Sequence, residues 1–174
     1  MKRNNILILL LLAVLAVSCN KEPYEATKSK TQAMAGRWWV ELFLDPTASG
    51  VPDQNELIMG YADFGKYGLV TSNTSADDAD SVIIDDPEHS WPFRAIVPVS
   101  VSGLSFKPAT VTNILDTDNT VQVIDGKILK GAATLPSGRK GDSIIVVFEF
   151  SDDAGNQYIY SGHRDSGQPE DQHH

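Results

Sequence analysis

The chain has 174 residues, a 41% hydrophobic fraction and a formal net charge of −9. That length suits one ordinary domain that buries a core without staples, and so acidic a balance repels nucleic acid, which excludes nucleic-acid binding. A single cysteine excludes any disulfide within the chain.

Lys2 and Arg3 precede an unbroken apolar run from Ile6 to Val17, followed by Ser18 and Cys19. This is the charged region, apolar region and small-residue cleavage site of a secretory signal. The run is too short for a membrane-spanning helix, which needs about 20 residues. Leu15-Ala16-Val17-Ser18-Cys19 resembles a lipobox, the site at which a bacterial lipoprotein peptidase cuts before a diacylated Cys, with Ala16 where Leu is commoner. Residues 1–18 therefore read as a lipoprotein signal peptide and Cys19 as the lipidation site, placing the protein on the periplasmic or cell-surface side of the outer membrane. Losing Lys2 and Arg3 with the signal takes the charge from −9 to −11. Residues 19–33 are polar and aperiodic and read as a lipidated flexible tether, leaving 34–174 as the folded domain.

From Met34 onward apolar residues recur at period two in short runs cut by Gly, Pro, Asn and Asp, the pattern of an antiparallel β domain. In the first run Trp38, Val40, Leu42 and Leu44 share the core face, and Arg37, Trp39, Glu41 and Phe43 the other. Further strands are expected at Tyr67–Asn73, Ser81–Asp85, Phe93–Val101, Val121–Val123, Lys127–Thr134, Ser143–Phe150 and Tyr158–Arg164. Pro98 suggests an edge or a bulge. Asp125-Gly126 favours a tight hairpin turn, and Asp152–Asn156 a second hairpin. Such a series of short strands points to a sandwich or closed barrel. The fold class is all-β, with one antiparallel barrel of about eight strands.

Several stretches together resemble the lipocalin-like bacterial lipoproteins of the lipid-binding putative hydrolase family. They are Met34–Val40, Val82–Asp86 with Trp91-Pro92-Phe93, Lys130–Thr134 with Pro136-Ser137-Gly138, Asp142-Ser143-Ile144, and Ser161–Arg164 with Gly167 and Glu170-Asp171. The resemblance implies a lipocalin-like barrel that binds lipid. Gly36-Arg37-Trp38 also resembles the G-x-W opening of the wider lipocalin fold, in which the Trp packs against an Arg of the last strand; that resemblance makes Arg164 the partner of Trp38 and gives Gly36, Trp38 and Arg164 structural roles.

Catalytic chemistry has little footing. There is no G-x-S-x-G pentapeptide, and the lone Cys reads as lipidated, which removes a thiol nucleophile. A Ser-His-Asp site would need His89 or His163, neither in a recognisable setting. His89 lies with Asp85, Asp86 and Ser90 in what reads as a solvated loop. Without H-E-x-x-H or paired Cys, zinc is not expected. Asp77, Asp78 and Asp80, and separately Asp116 and Asp118, lack the Gly and distal Glu of a calcium loop. No metal or other cofactor is expected.

One hint favours a cavity. The strand from Lys127 carries Leu129 and Gly131 on one face and fills little volume, and a small barrel either fills its interior or holds one ligand. Tyr61, Tyr67, Trp91 and Phe93 supply aromatic rings suited to a ligand mouth. With Leu129 and Gly131 they form the expected binding set for a lipid or other apolar small molecule. The alternatives are a hydrolase using His89 or His163, and a structural partner of an outer-membrane assembly docking through Trp39 and Phe43.

Overall fold

A computed structural model describes residues 27–61, 68–86 and 92–173. Its strands are β1 (Gly36–Asp45), β2 (Leu57–Met59), β3 (Leu69–Asn73), β4 (Ser81–Asp86), β5 (Phe93–Ser100), β6 (Ser105–Phe106), β7 (Ala109–Thr112), β8 (Thr120–Thr134), β9 (Lys140–Phe150) and β10 (Gln157–Arg164). All pairings are antiparallel, and β10 returns to β1 in a register running from Trp38 opposite Arg164 to Asp45 opposite Gln157. β2 and β3 share one edge of β1, and β6 and β7 share one edge of β8. The segments thus make an eight-strand closed antiparallel barrel. Closure leaves no long ladder unpaired, which removes the aggregation hazard of a free edge.

Period-two patterning sets which side chains fill the barrel. In β5 Phe93, Ala95, Val97 and Val99 are buried while Arg94, Ile96, Pro98 and Ser100 are not; in β4 Val82, Ile84 and Asp86 point inward. The interior is solid: Trp38, Leu42, Leu69, Phe93, Phe106, Phe148 and Tyr160 are fully buried and belong to one continuous cluster. A second, small cluster of Phe43, Val147 and Ile159 lies on the opposite face of the wall.

Four local expectations are corrected. Asp125-Gly126 is not a turn but the middle of β8, just past a bulge between Val123 and Asp125. Its glycine serves a close approach, since a Cβ there would stand 3.0 Å from both Phe106 Cδ2 and Val146 Cγ1. Pro98 is on no edge, because β5 lies between β4 and β6. Its carbonyl accepts from Lys107 N at 2.8 Å, so the side lacking an N–H faces the break between β6 and β7, where no ladder bond is lost. Trp39 and Phe43 are buried, at 4% and 1% exposure, and offer no aromatic docking surface. Finally, the polar segment before Met34 joins the fold: Thr31 is buried and Lys30 N donates to Asp77 Oδ1 at 2.9 Å.

Closure depends on how near β1 and β10 can come. A Cβ at Gly162 would sit 1.8 Å from the Trp39 carbonyl oxygen, so Gly162→Ala should force the two strands apart. We expect a destabilisation of at least the roughly 1–3 kcal/mol typical of overpacking, read as a lowered urea midpoint at unchanged m; an unaltered midpoint would contradict this account of closure.

Candidate ligand site at the barrel mouth

The two barrel ends differ. At the end where β1 begins, the Arg164 guanidinium carbon lies 4.5 Å from the Trp38 ring centroid. Its Nη1 donates to Ala35 O at 2.6 Å. Gly36 makes this possible, because a Cβ there would come within 2.7 Å of that same Nη1. Thr71 Oγ1 accepts from Trp38 Nε1 at 2.9 Å and donates to Met34 O at 2.6 Å. Met34 is itself fully buried. This end is sealed. A desolvated cation on an indole contributes on the order of 1–2 kcal/mol, and both polar groups of the indole–threonine pair are satisfied.

Nearby, Asp142 accepts from Lys130 Nζ at 2.8 Å and lies 3.3 Å from Arg164 Nε. Burial would raise its carboxyl, but the Lys130 hydrogen bond, the Gly131 amide and the charges of Lys130 and Arg164 outweigh that and lower it. Asp171, also buried, is held well below the usual carboxylate range by Ser137 and Ser166, assisted by Arg139.

The opposite end is an indented mouth. β4, β5, β7, β8, β9 and β10 meet loops there at Asp86, Phe93, Thr112, Thr120, Phe150 and Gln157. A cleft of about 300 Å³ opens between them, lined by Pro92, Leu115, Val121 and Phe150 as apolar groups, Asn113, Asn119 and Thr120 as neutral polar ones, and Asp116 and Asp152. Phe150 is its floor and sits on the core, 5.5 Å from the Phe93 ring and 5.8 Å from Tyr158. Beneath it Tyr160 Oη donates to Asp86 Oδ2 at 2.8 Å, both residues fully buried; burial and the Asp86 charge push the Tyr160 phenol well above its ordinary range. Tyr158 Oη donates to Asp153, and burial followed by that carboxylate raises it likewise.

The loop 113–119 forming one lip is pinned by Asn113. Its Oδ1 accepts from Arg94 N at 3.1 Å and Leu115 N at 3.0 Å, and its Nδ2 donates to Pro92 O at 3.2 Å. Asp116 accepts from Asn119 Nδ2 at 2.7 Å, and Ser151 Oγ accepts from Thr120 N at 2.8 Å while donating to Asn119 Oδ1 at 3.1 Å. With the amides of Asn113, Ile114, Leu115, Asp118 and Asn119 all hydrogen-bonded, the lip presents Ile114 and Leu115 outward, 47% and 44% exposed. On the same side of the barrel Asp45 caps its own loop by accepting from Ser49 N and Gly50 N. Burial would raise that carboxyl, but the donors outweigh it and lower it.

The residues expected to bind ligand are not gathered in one place. Tyr67 and Trp91, like His89 and Cys19, lie outside the described residues. Phe93 is core, in edge contact with Phe148 and Phe150. Leu129 is 42% exposed on the outer face of β8, and Gly131 occupies the irregularity between Leu129 and Ala133 at φ +63° with nothing near its Cβ position. The small-residue stretch is therefore a protruding hairpin end rather than a cavity wall. Its smallness reflects exposure beyond the barrel rim, not room within it. The mouth residues Asn113 and Leu115 were missed because a seven-residue loop has no period, its one signal being a pair of apolar residues, Ile114 and Leu115, in an otherwise polar turn, while Phe150 was read only as the end of a strand.

Tyr61 lies outside the barrel, stacked on His173 at 4.2 Å, and His173 also contacts Trp39 edge-on at 5.4 Å. Both ring nitrogens of His163 are engaged, Nδ1 with Arg164 O at 3.1 Å and Nε2 with His173 Nε2 at 2.8 Å. The Ser143 hydroxyl donates to Gly162 O at 2.8 Å. Among the described residues there is no cluster of three or more His, Cys, Asp or Glu able to hold a metal.

An eight-strand meander closed on itself, sealed at one end and indented at the other, defines an up-and-down barrel of the lipocalin-like kind. The model of the family described as lipid-binding putative hydrolase matches residues 23–169, and the chain belongs to that family. No curated protein matches it.

The Tyr61 environment has a measurable consequence. Burial, and then the Glu41 charge, push its phenol up to about 12. A raised folded-state value means the neutral phenol stabilises the fold fully below the unfolded value near 10, and that contribution is lost as pH rises through about 12. Tyr61→Phe should therefore flatten the decline in stability between pH 10 and 12; an unchanged decline would contradict the assignment.

Proposed function

We propose that the protein binds a lipid-like amphiphile at the open end of the barrel, the tail lying on Phe150, Val121 and Leu115, and that it works as a lipid-anchored outer-membrane protein. The cleft at the mouth carries the reading: it is a concave surface with Pro92, Leu115, Val121 and Phe150 as an apolar floor on the packed interior and polar residues around it, and the description of the family names lipid as what its members bind. Because Phe93, Phe148 and Tyr160 occupy the interior, the ligand seats across the mouth rather than threading the barrel. Binding rather than hydrolysis at His163 is favoured, since its ring nitrogens face a carbonyl and a second histidine, and among the described residues no hydroxyl is hydrogen-bonded to it.

The signal-like N-terminus and the lipobox resemblance at Cys19 support the anchor. The chain enters the barrel at its sealed end, beside Met34 and Trp38.

Two measurements test this. Calorimetric titration of mature protein with a monoacylglycerol should give saturable binding, weakened at least tenfold by Leu115→Glu, which charges the lip without touching the core; absence of saturation, or an unaffected Leu115→Glu, rejects the mouth as the site. Cys19→Ser should abolish metabolic labelling with a fatty acid and leave the protein uncleaved or soluble, with none in the membrane fraction at mature mass. Retention of label would rule out lipidation at this residue.

A further inference from the structure

The charge around the mouth narrows the ligand class, and this step rests on the reading of the cleft as an amphiphile site. Asp116 and Asp152 border the cleft, and Asp118 and Asp153 stand on the same two loops. Among the described residues no Lys or Arg lines it. The basic residue beside it in the chain, Arg94, is committed on the outer wall, its Nη2 2.6 Å from Asp85 Oδ2.

The donors in the lining are partly engaged: one N–H of the Asn113 side-chain amide goes to Pro92 O, one of the Asn119 side-chain amide to Asp116, and the Thr120 backbone amide to Ser151. An anionic head entering here would meet no cation and would be set against two carboxylates; a charge without a counter-charge is among the costliest groups to bury. A hydroxyl or ammonium head meets no such penalty, since hydroxyl protons find acceptors in Asp116 and Asp152 and a cation finds its counter-charge there.

We propose that the mouth selects amphiphiles whose polar end is uncharged or cationic and rejects those ending in a free carboxylate or phosphate. The test compares monolaurin, dodecyltrimethylammonium and laurate by calorimetry on mature protein carrying Cys19→Ser, which removes the lipid and leaves the barrel intact. At low ionic strength laurate should bind at least tenfold more weakly than monolaurin. The gap should shrink in high salt, because partly exposed charges are screened. Asp116→Asn with Asp152→Asn should largely close it, whereas Asp77→Asn with Asp78→Asn, at the other end of the barrel, should leave it intact and so separate local charge from the net charge of the protein.

Each outcome decides something. Laurate as tight as monolaurin in the parent overturns the selectivity while the mouth reading stands, and a gap unmoved by the mouth pair, or equally moved by the distal pair, overturns the assignment to these carboxylates. If none of the three probes saturates, the amphiphile site itself falls, and the selectivity with it.

Discussion

The pairing of β10 with β1 is the constraint on which the rest of this structure depends. Without it the chain is an open meander with two free edges and no enclosed interior; with it the period-two pattern of every strand acquires an inside. The junction rests on Gly162, whose missing side chain lets the Trp39 backbone approach, and on the seal of Trp38, Arg164, Thr71 and Met34 at one end. That seal fixes the ends of the barrel in different roles, one closed by an indole and a guanidinium, the other left to loops.

The interior itself is not the binding site. A ring cluster of Phe93, Phe148, Phe150, Tyr158 and Tyr160 runs up from the core to the mouth, and the Asp86–Tyr160 pair beneath it is hydrogen-bonded and shielded from solvent. Rigid packing below and pinned loops above leave a shallow apolar floor with polar lips. Such a surface suits a tail laid across it better than a ligand swallowed whole, and it puts the recognition of the polar end in the hands of the loop residues.

Much of the architecture was legible in the sequence because alternation is a local signal. Ala95, Val97 and Val99 announce an inward face, and Trp38, Val40 and Leu42 announce another, with no knowledge of their partners. Register at the bulged centre of β8 was not legible: Asp125-Gly126 has the chemistry of a turn, and only the contact with Phe106 and Val146 explains why it lies in a strand. The site was the least readable part. Leu129 and Gly131 looked like cavity wall because smallness in sequence does not distinguish an empty interior from an exposed rim. Asn113 and Phe150 gain their roles only when loops from distant parts of the chain converge at one end.

The central claim is that ligand binds at the mouth of a filled barrel, and mapping amide chemical-shift changes during titration with a monoacylglycerol tests it most directly. The account predicts saturable shifts confined to residues 113–121 and 150–153 and to the amides next to Pro92, with Trp38, Thr71 and Arg164 unmoved. Shifts centred on the sealed end or the outer wall, or spread through the interior strands, would contradict it.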